Sequence, residues 1–168
     1  MKNNVWAKTI LSVYKYLDRV AGAIDKLVKQ EAVNSFYYNG VSKNRNGTLD
    51  VANRIIDMSA RKVRLVNIKV LADKALCECD RGSAQILIQK YMDGDGSQEI
   101  AERNNLNIRT YFRHLINAEE KFSSILAKEG FDDKKLCNYL AGEKWIMEVY
   151  YNLKNAEKEN DEGCQELG

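Results

Sequence analysis

The sequence predicts an all-α protein: a long antiparallel helical hairpin, then a compact helix-turn-helix bundle and a C-terminal helix. Three observations predict it. Apolar residues recur at spacings of three and four along most of the 168 residues, which is the period of a buried helical face. The chain has no proline; long helices tolerate that, and turn-rich β folds seldom show it. Its polar, glycine-bearing breaks are short and confined to a few places such as 38–47 and 93–96.

The first helix is expected over 5–37. Ile10, Val13, Leu17, Val20, Ile24 and Leu27 alternate strictly at three and four, a heptad seam. A helix of about thirty residues would be roughly 45 Å long. The stretch 38–47 (YNGVSKNRNG) holds Gly40, Gly47 and three asparagines and reads as a loop. A second helix is expected from Thr48, as N-cap, to near Gly82, with Asp50 in its first turn. Its apolar residues include Leu49, Ala52, Ile55, Ile56, Val63, Val66, Val70 and Leu76. A short loop between long helices implies an antiparallel pair. Then come a short helix over 83–92, with Ile86, Leu87, Ile88 and Tyr91, and a DGDG turn over 93–96. Gly130 is a candidate helix C-cap. A last helix is expected over 133–158, carrying Leu136, Leu140, Trp145, Val149 and Leu153, with a frayed acidic tail beyond Asn160. The expected division is 1–81, 82–128 and 129–168.

The most informative segment is 97–122 (SQEIAERNNLNIRTYFRHLINAEEKF). Ile100 and Ala101 give a first helix an apolar stripe. Asn105 stands where the chain must turn, and asparagine tolerates left-handed backbone. Leu106 fills the corner. Asn107 can cap a second helix. On that helix Tyr111, Leu115, Ala118 and Phe122 share one face, and Arg109, Phe112, Arg113 and His114 lie on the other.

This pattern resembles region 4 of bacterial sigma factors. The whole chain resembles small phage-encoded late-gene regulators of the ArpU type. The resemblance rests on Tyr91, Asp93, Gly94, Ser97, Glu99, Ile100, Ala101, Glu102, Thr110, Tyr111, Leu115 and Ala118 and covers about forty residues, 83–122. Asn104 departs from an apolar preference and Asn105 from a glycine. The resemblance implies a helix-turn-helix that reads double-stranded DNA, with RNA polymerase as a possible second partner. No counterpart of the promoter-melting region is seen, so a complete sigma factor is not expected.

The residues expected to meet DNA are Ser97, Gln98, Asn107, Arg109, Thr110, Phe112, Arg113, His114 and Asn117. Ser97 and Gln98 open the first helix, where free N–H groups attract phosphate and where Ser97 can also act as the N-cap. Arg109 and Arg113 suit base edges or phosphates. Phe112 can touch a thymine methyl or pack on neighbouring helices.

The formal net charge of +2 is too small to argue for nucleic acid alone. Basic residues gather at Arg61, Lys62, Arg64, Lys69 and Lys74, read either as a solvated helix face or as a surface for DNA backbone or self-association. Four irregularly spaced cysteines suit a reducing cytosol, and the cytoplasm is the expected location. Cys77-x-Cys79 lacks a second pair for zinc, and Asp93 and Asp95 lack the remaining ligands of a calcium loop. No cofactor, metal or enzymatic activity is expected, and no apolar run suits a membrane span. A homodimer through the N-terminal helices is open, because a heptad seam serves a hairpin or a dimer equally. Two other readings stay open: a phage small terminase subunit, and a coiled-coil interaction protein that binds no DNA.

Overall fold

A computed structural model describes residues 4–39 and 45–165. Every regular element among them is helical: α1 (Val5–Asn39), α2 (Arg45–Glu78), α3 (Arg81–Leu87) running into a π-helical turn (Ile88–Asp93), α4 (Ser97–Arg103), α5 (Ile108–Lys128), α6 (Asp133–Leu140) and α7 (Lys144–Gln165). The all-α class therefore holds. No helix among the described residues is long and apolar enough to cross a membrane.

Several boundaries differ from expectation. α2 begins at Arg45, so Gly47 and Thr48 lie inside it and Thr48 is not its cap. No proline stands in 45–48, so nothing in the sequence bars the helix from starting a turn before Thr48. Of the expected loop, 40–44 lies outside the described residues. α2 stops at Glu78 and α3 starts at Arg81, because Asp80 intervenes as a cap. Its carboxylate accepts from the Ser83 N–H at 3.1 Å and from the Ser83 hydroxyl at 2.8 Å. The single helix expected over 133–158 is two. Leu136, Leu140 and Ile146 are buried, and the step of six from Leu140 to Ile146 cannot stay on one face of a straight helix. The chain breaks at Ala141–Gly142, and the buried Glu143 opens α7, its carbonyl accepting from the Ile146 and Met147 N–H groups at 3.0 Å each. α7 then continues through the expected frayed tail to Gln165.

The chain forms two compact units, Lys15–Lys69 and Met1–Tyr14 with Val70–Gly168. These cut across the boundaries expected from chain order. In the first unit Leu17, Ala21 and Ile24 of α1 and Leu65 and Ile68 of α2 are buried. Its ion pairs run in opposite senses along the two helices: Glu31 with Arg54 at 3.3 Å, Asp25 with Lys62 at 2.7 Å, Asp18 with Lys69. As the α1 partner moves toward the N-terminus, the α2 partner moves toward the C-terminus, so these helices are antiparallel. The α1 seam is buried at Ile10, Val13, Leu17 and Ile24, but Leu27 is 54% exposed. On α2 the expected apolar stripe is largely not the core. Leu49, Ile56, Val63, Val66 and Val70 are exposed, and Leu65, Ile68, Ala72, Ala75 and Cys79 are buried. The packed face of α2 beyond Ile68 combines Leu71 with the small residues Ala72 and Ala75, and Cys79 is buried just past the end of the helix.

The second unit is a bundle of the remaining helices. α3 and α4 both pack on α5. Trp6 stacks on Tyr150 of α7, with centroids 4.4 Å apart. α5 ends at Gly130, whose φ of +83° is left-handed. The Gly130 and Phe131 N–H groups bond back to the Ala127 and Leu126 carbonyls at 3.0 and 2.9 Å, a Schellman ending at the glycine expected to supply it.

Candidate nucleic-acid interface

The connection from α4 to α5 is built on asparagines. Among the described residues Asn105 is the one non-glycine residue with positive φ, +54°. Its N–H donates to the Glu102 carbonyl at 3.0 Å, and the Leu106 N–H to the Ala101 carbonyl at 2.8 Å. This is the same Schellman ending as at Gly130, made without glycine. Asn104 occupies a position where an apolar residue was the expectation. Its amide donates to the Ile100 carbonyl at 2.7 Å and to the side-chain oxygen of buried Gln89 at 2.9 Å, so a polar residue is matched by a polar socket. Asn107 caps α5, accepting from the Thr110 N–H at 2.8 Å.

The turn gives a direct test. Asn105→Val should destabilise by about 1–2 kcal/mol, because a β-branched side chain resists left-handed backbone. Asn105→Gly should change stability by less than about 1 kcal/mol, since relief of strain is offset by a freer unfolded chain. Equal unfolding midpoints for wild type and the valine variant would show that this backbone conformation is wrong.

Tyr111, Leu115, Ala118 and Phe122 are all buried, as are Ile100 and Ala101. The stripe that was expected to seat α5 does seat it. Beneath lies a polar cluster that spacing did not reveal. Glu119 is 3% exposed. It accepts from the Tyr91 hydroxyl at 2.6 Å and lies 3.7 Å from the Lys8 ammonium, which also pairs with Glu157 at 2.8 Å. Burial pushes the Glu119 carboxyl above its ordinary range, against the pull of Tyr91 and Lys8. Burial would lower the Lys8 pKa, but Glu157 and Glu119 together raise it. Burial, then the Glu119 charge, lift the Tyr91 phenol far above its usual value. The Tyr111 hydroxyl is buried, with the Ser97 side chain as its polar neighbour. A signal for Glu119 existed: it falls within the buried arc of α5, beside Leu115 and Phe122.

The expected contact residues divide into four groups. Arg109, Phe112 and Arg113 share the exposed face of α5. Phe112 is 46% exposed, and its ring leans on Tyr111 with centroids 5.2 Å apart, so it combines packing with exposure. His114 and Asn117, also exposed, flank a groove with Asp80, Ser83, Asn104 and Lys121. Thr110 is half-buried at the Asn107 cap. Ser97 and Gln98 stand apart on α4. Ser97 is not the N-cap: Gly96 holds that place with no side-chain bond, and the Ser97 hydroxyl faces the Lys90 ammonium at 3.5 Å. Gln98 is tied to Glu102 at 2.9 Å. Sequence reasoning missed Ile108 and Ile116, which are 39% and 40% exposed. They flank Phe112 at steps of four, and that spacing outside the core stripe was their signal.

The cations of this region differ in how far they are committed. Arg103 is held by Asp95 at 2.6 Å and Glu99 at 2.8 Å, and Lys121 by Asp80 at 2.6 Å. Arg109 and Arg113 have no acidic partner among the described residues. The basic run on α2 is largely spent on intramolecular pairs: Lys62 and Lys69 on α1 acids and Lys74 on Glu129. Comparison with known families, with curated proteins and with solved structures gives no match.

Proposed function

We propose that this chain is a sequence-specific double-stranded DNA-binding transcriptional regulator that reads DNA with α5, of the phage late-regulator kind its sequence resembles. The observation that carries the reading is the pair Arg109 and Arg113. They are one helical turn apart, near the start of α5, exposed and without acidic partners among the described residues, while Arg103 and Lys121 are neutralised by ion pairs. The N-terminal residues of a recognition helix are those that reach base edges. Arginine donors suit guanine or phosphate, and an exposed Phe112 suits a thymine methyl. Asn107, Thr110, His114 and Asn117 border the same helix end or flank, and Ser97 and Gln98 supply backbone-facing contacts from α4. The chain's small net charge places affinity in these few contacts rather than in a broad basic field. RNA polymerase is the further partner that the sigma-like segment suggests.

The test is selection of bound sequences from random duplex DNA, followed by titration of variants. Arg109→Ala and Arg113→Ala should each leave helix content unchanged and weaken the selected site by about 1–3 kcal/mol if the arginine bonds a base edge in bidentate fashion. If both meet only phosphates, binding weakens evenly across sequences and its salt dependence shrinks. Unchanged affinity in both variants, or no enriched sequence, removes the proposal.

A further inference from the structure

α5 presents a second apolar row besides the buried one. Ile108, Phe112 and Ile116 follow at steps of four and are all exposed. Isolated apolar residues on a surface need no explanation. These three form one row, because residues four apart are neighbours on a helix. Each step of four turns about 40° and rises about 6 Å. The row therefore slants away from the buried stripe, from Ile108 near its edge to Ile116 on the outer face. Arg109 and Arg113 run beside it on the solvent side, about 100° further round than Ile108 and Phe112. Neither arginine has an acidic partner among the described residues. The exposed Glu120, one heptad after Arg113, ends the cationic part of this face.

We propose, resting on the DNA reading above, that this row selects thymine: Ile108, Phe112 and Ile116 meet C5-methyl groups in the floor of the major groove, beside the guanines or phosphates that Arg109 and Arg113 take. A duplex complements both halves of the face. Its phosphates and guanine edges suit the two free arginines, and thymine is the base whose major-groove edge carries a methyl group. A polar base edge set against Ile108 or Ile116 would lose water and gain no bond. Neighbours in the row rise about 6 Å and stacked base pairs about 3.4 Å, so they face base pairs one or two steps apart. The whole row, about 12 Å long, spans about four base pairs. Glu120 would oppose a phosphate and so sets the C-terminal limit of the contact.

The experiment uses the full chain and a duplex selected by it from random DNA. Thymines of the selected site are replaced one at a time by deoxyuridine, which lacks only the methyl. At two or three nearby positions affinity should fall about fourfold for each methyl lost, the effect of exposing one buried carbon. Ile116→Ala should weaken the parent duplex and abolish the uracil penalty at one of those positions, leaving the others. Phe112→Ala should do the same at a neighbouring position. Phe112 also leans on Tyr111, so Ile108→Ala and Ile116→Ala carry the test if that variant fails to fold. A selected site without thymine overturns the inference and leaves the DNA reading standing. So does a site whose uracil forms all bind as tightly as the thymine form. So does a uracil penalty that persists in every variant, which marks duplex shape rather than methyl contact. Absence of any bound duplex removes the DNA reading and this inference together.

Discussion

Phe122→Ala is expected to destabilise the protein by about 3–5 kcal/mol, enough to consume much of a typical domain's stability of about 5–15 kcal/mol. Phe122 is fully buried, and it closes the apolar stripe that holds α5 on the bundle. Truncation removes a ring from close-packed surroundings and leaves a cavity that rigid helices fill poorly. Chemical denaturation followed by helix signal measures the loss. Lys128→Ala, an exposed change near the end of the same helix, is the control and should stay within about 0.5 kcal/mol. A loss below about 1.5 kcal/mol for Phe122→Ala would mean that this face of α5 is not packed as described.

The second large effect is expected at Glu119. Glu119→Ala should cost about 2–4 kcal/mol, because it leaves the Tyr91 hydroxyl without its acceptor and opens space in the core. Glu119→Gln should lie within about 1 kcal/mol of wild type at neutral pH. It keeps an acceptor for Tyr91 and removes a charge that is expensive to bury, and Lys8 retains Glu157. The two variants also separate by pH. The folded-state pKa of Glu119 is raised above its usual 4.5, so between these values the folded protein holds more protons than the unfolded chain. In that window stability falls as pH rises. Glu119→Gln should flatten this part of the profile. Profiles of the same shape for wild type and the glutamine variant would show that Glu119 is not desolvated.

Much of the α4–α5 segment was legible in the sequence because each signal there is local. A left-handed Asn105, an Asn107 cap and a stripe at 111, 115, 118 and 122 depend on neighbours within one or two turns. The all-α class was legible for the same reason. What escaped was set by partners distant in sequence. Nothing near Glu119 announces that Tyr91 and Lys8 meet it. On α2 the residues expected to form the apolar stripe proved largely exposed, while the core took Leu65, Ile68 and Leu71 together with the small residues Ala72 and Ala75. The break before α7 was hidden by an otherwise helical composition, and only the step from Leu140 to Ile146 betrayed it. The candidate contact residues on α5 were picked out as lying away from the core stripe, and Arg109, Phe112, Arg113, His114 and Asn117 are exposed. Ser97 was misassigned as a cap because Gly96, equally able to precede a helix, took that place.

The π-helical turn Ile88–Asp93 fastens two things at once. Gln89 holds Asn104, at the end of α4, and Tyr91 holds Glu119, in the middle of α5. The relative pose of α4 and α5 is thereby fixed in the free protein. For any macromolecule that α5 docks on, the ordering entropy of this segment is already spent in folding. Association should then proceed as a nearly rigid docking, without the large negative heat-capacity change that accompanies folding upon binding. Loosening the turn should slow productive encounter and reduce affinity even where every contacting side chain is kept.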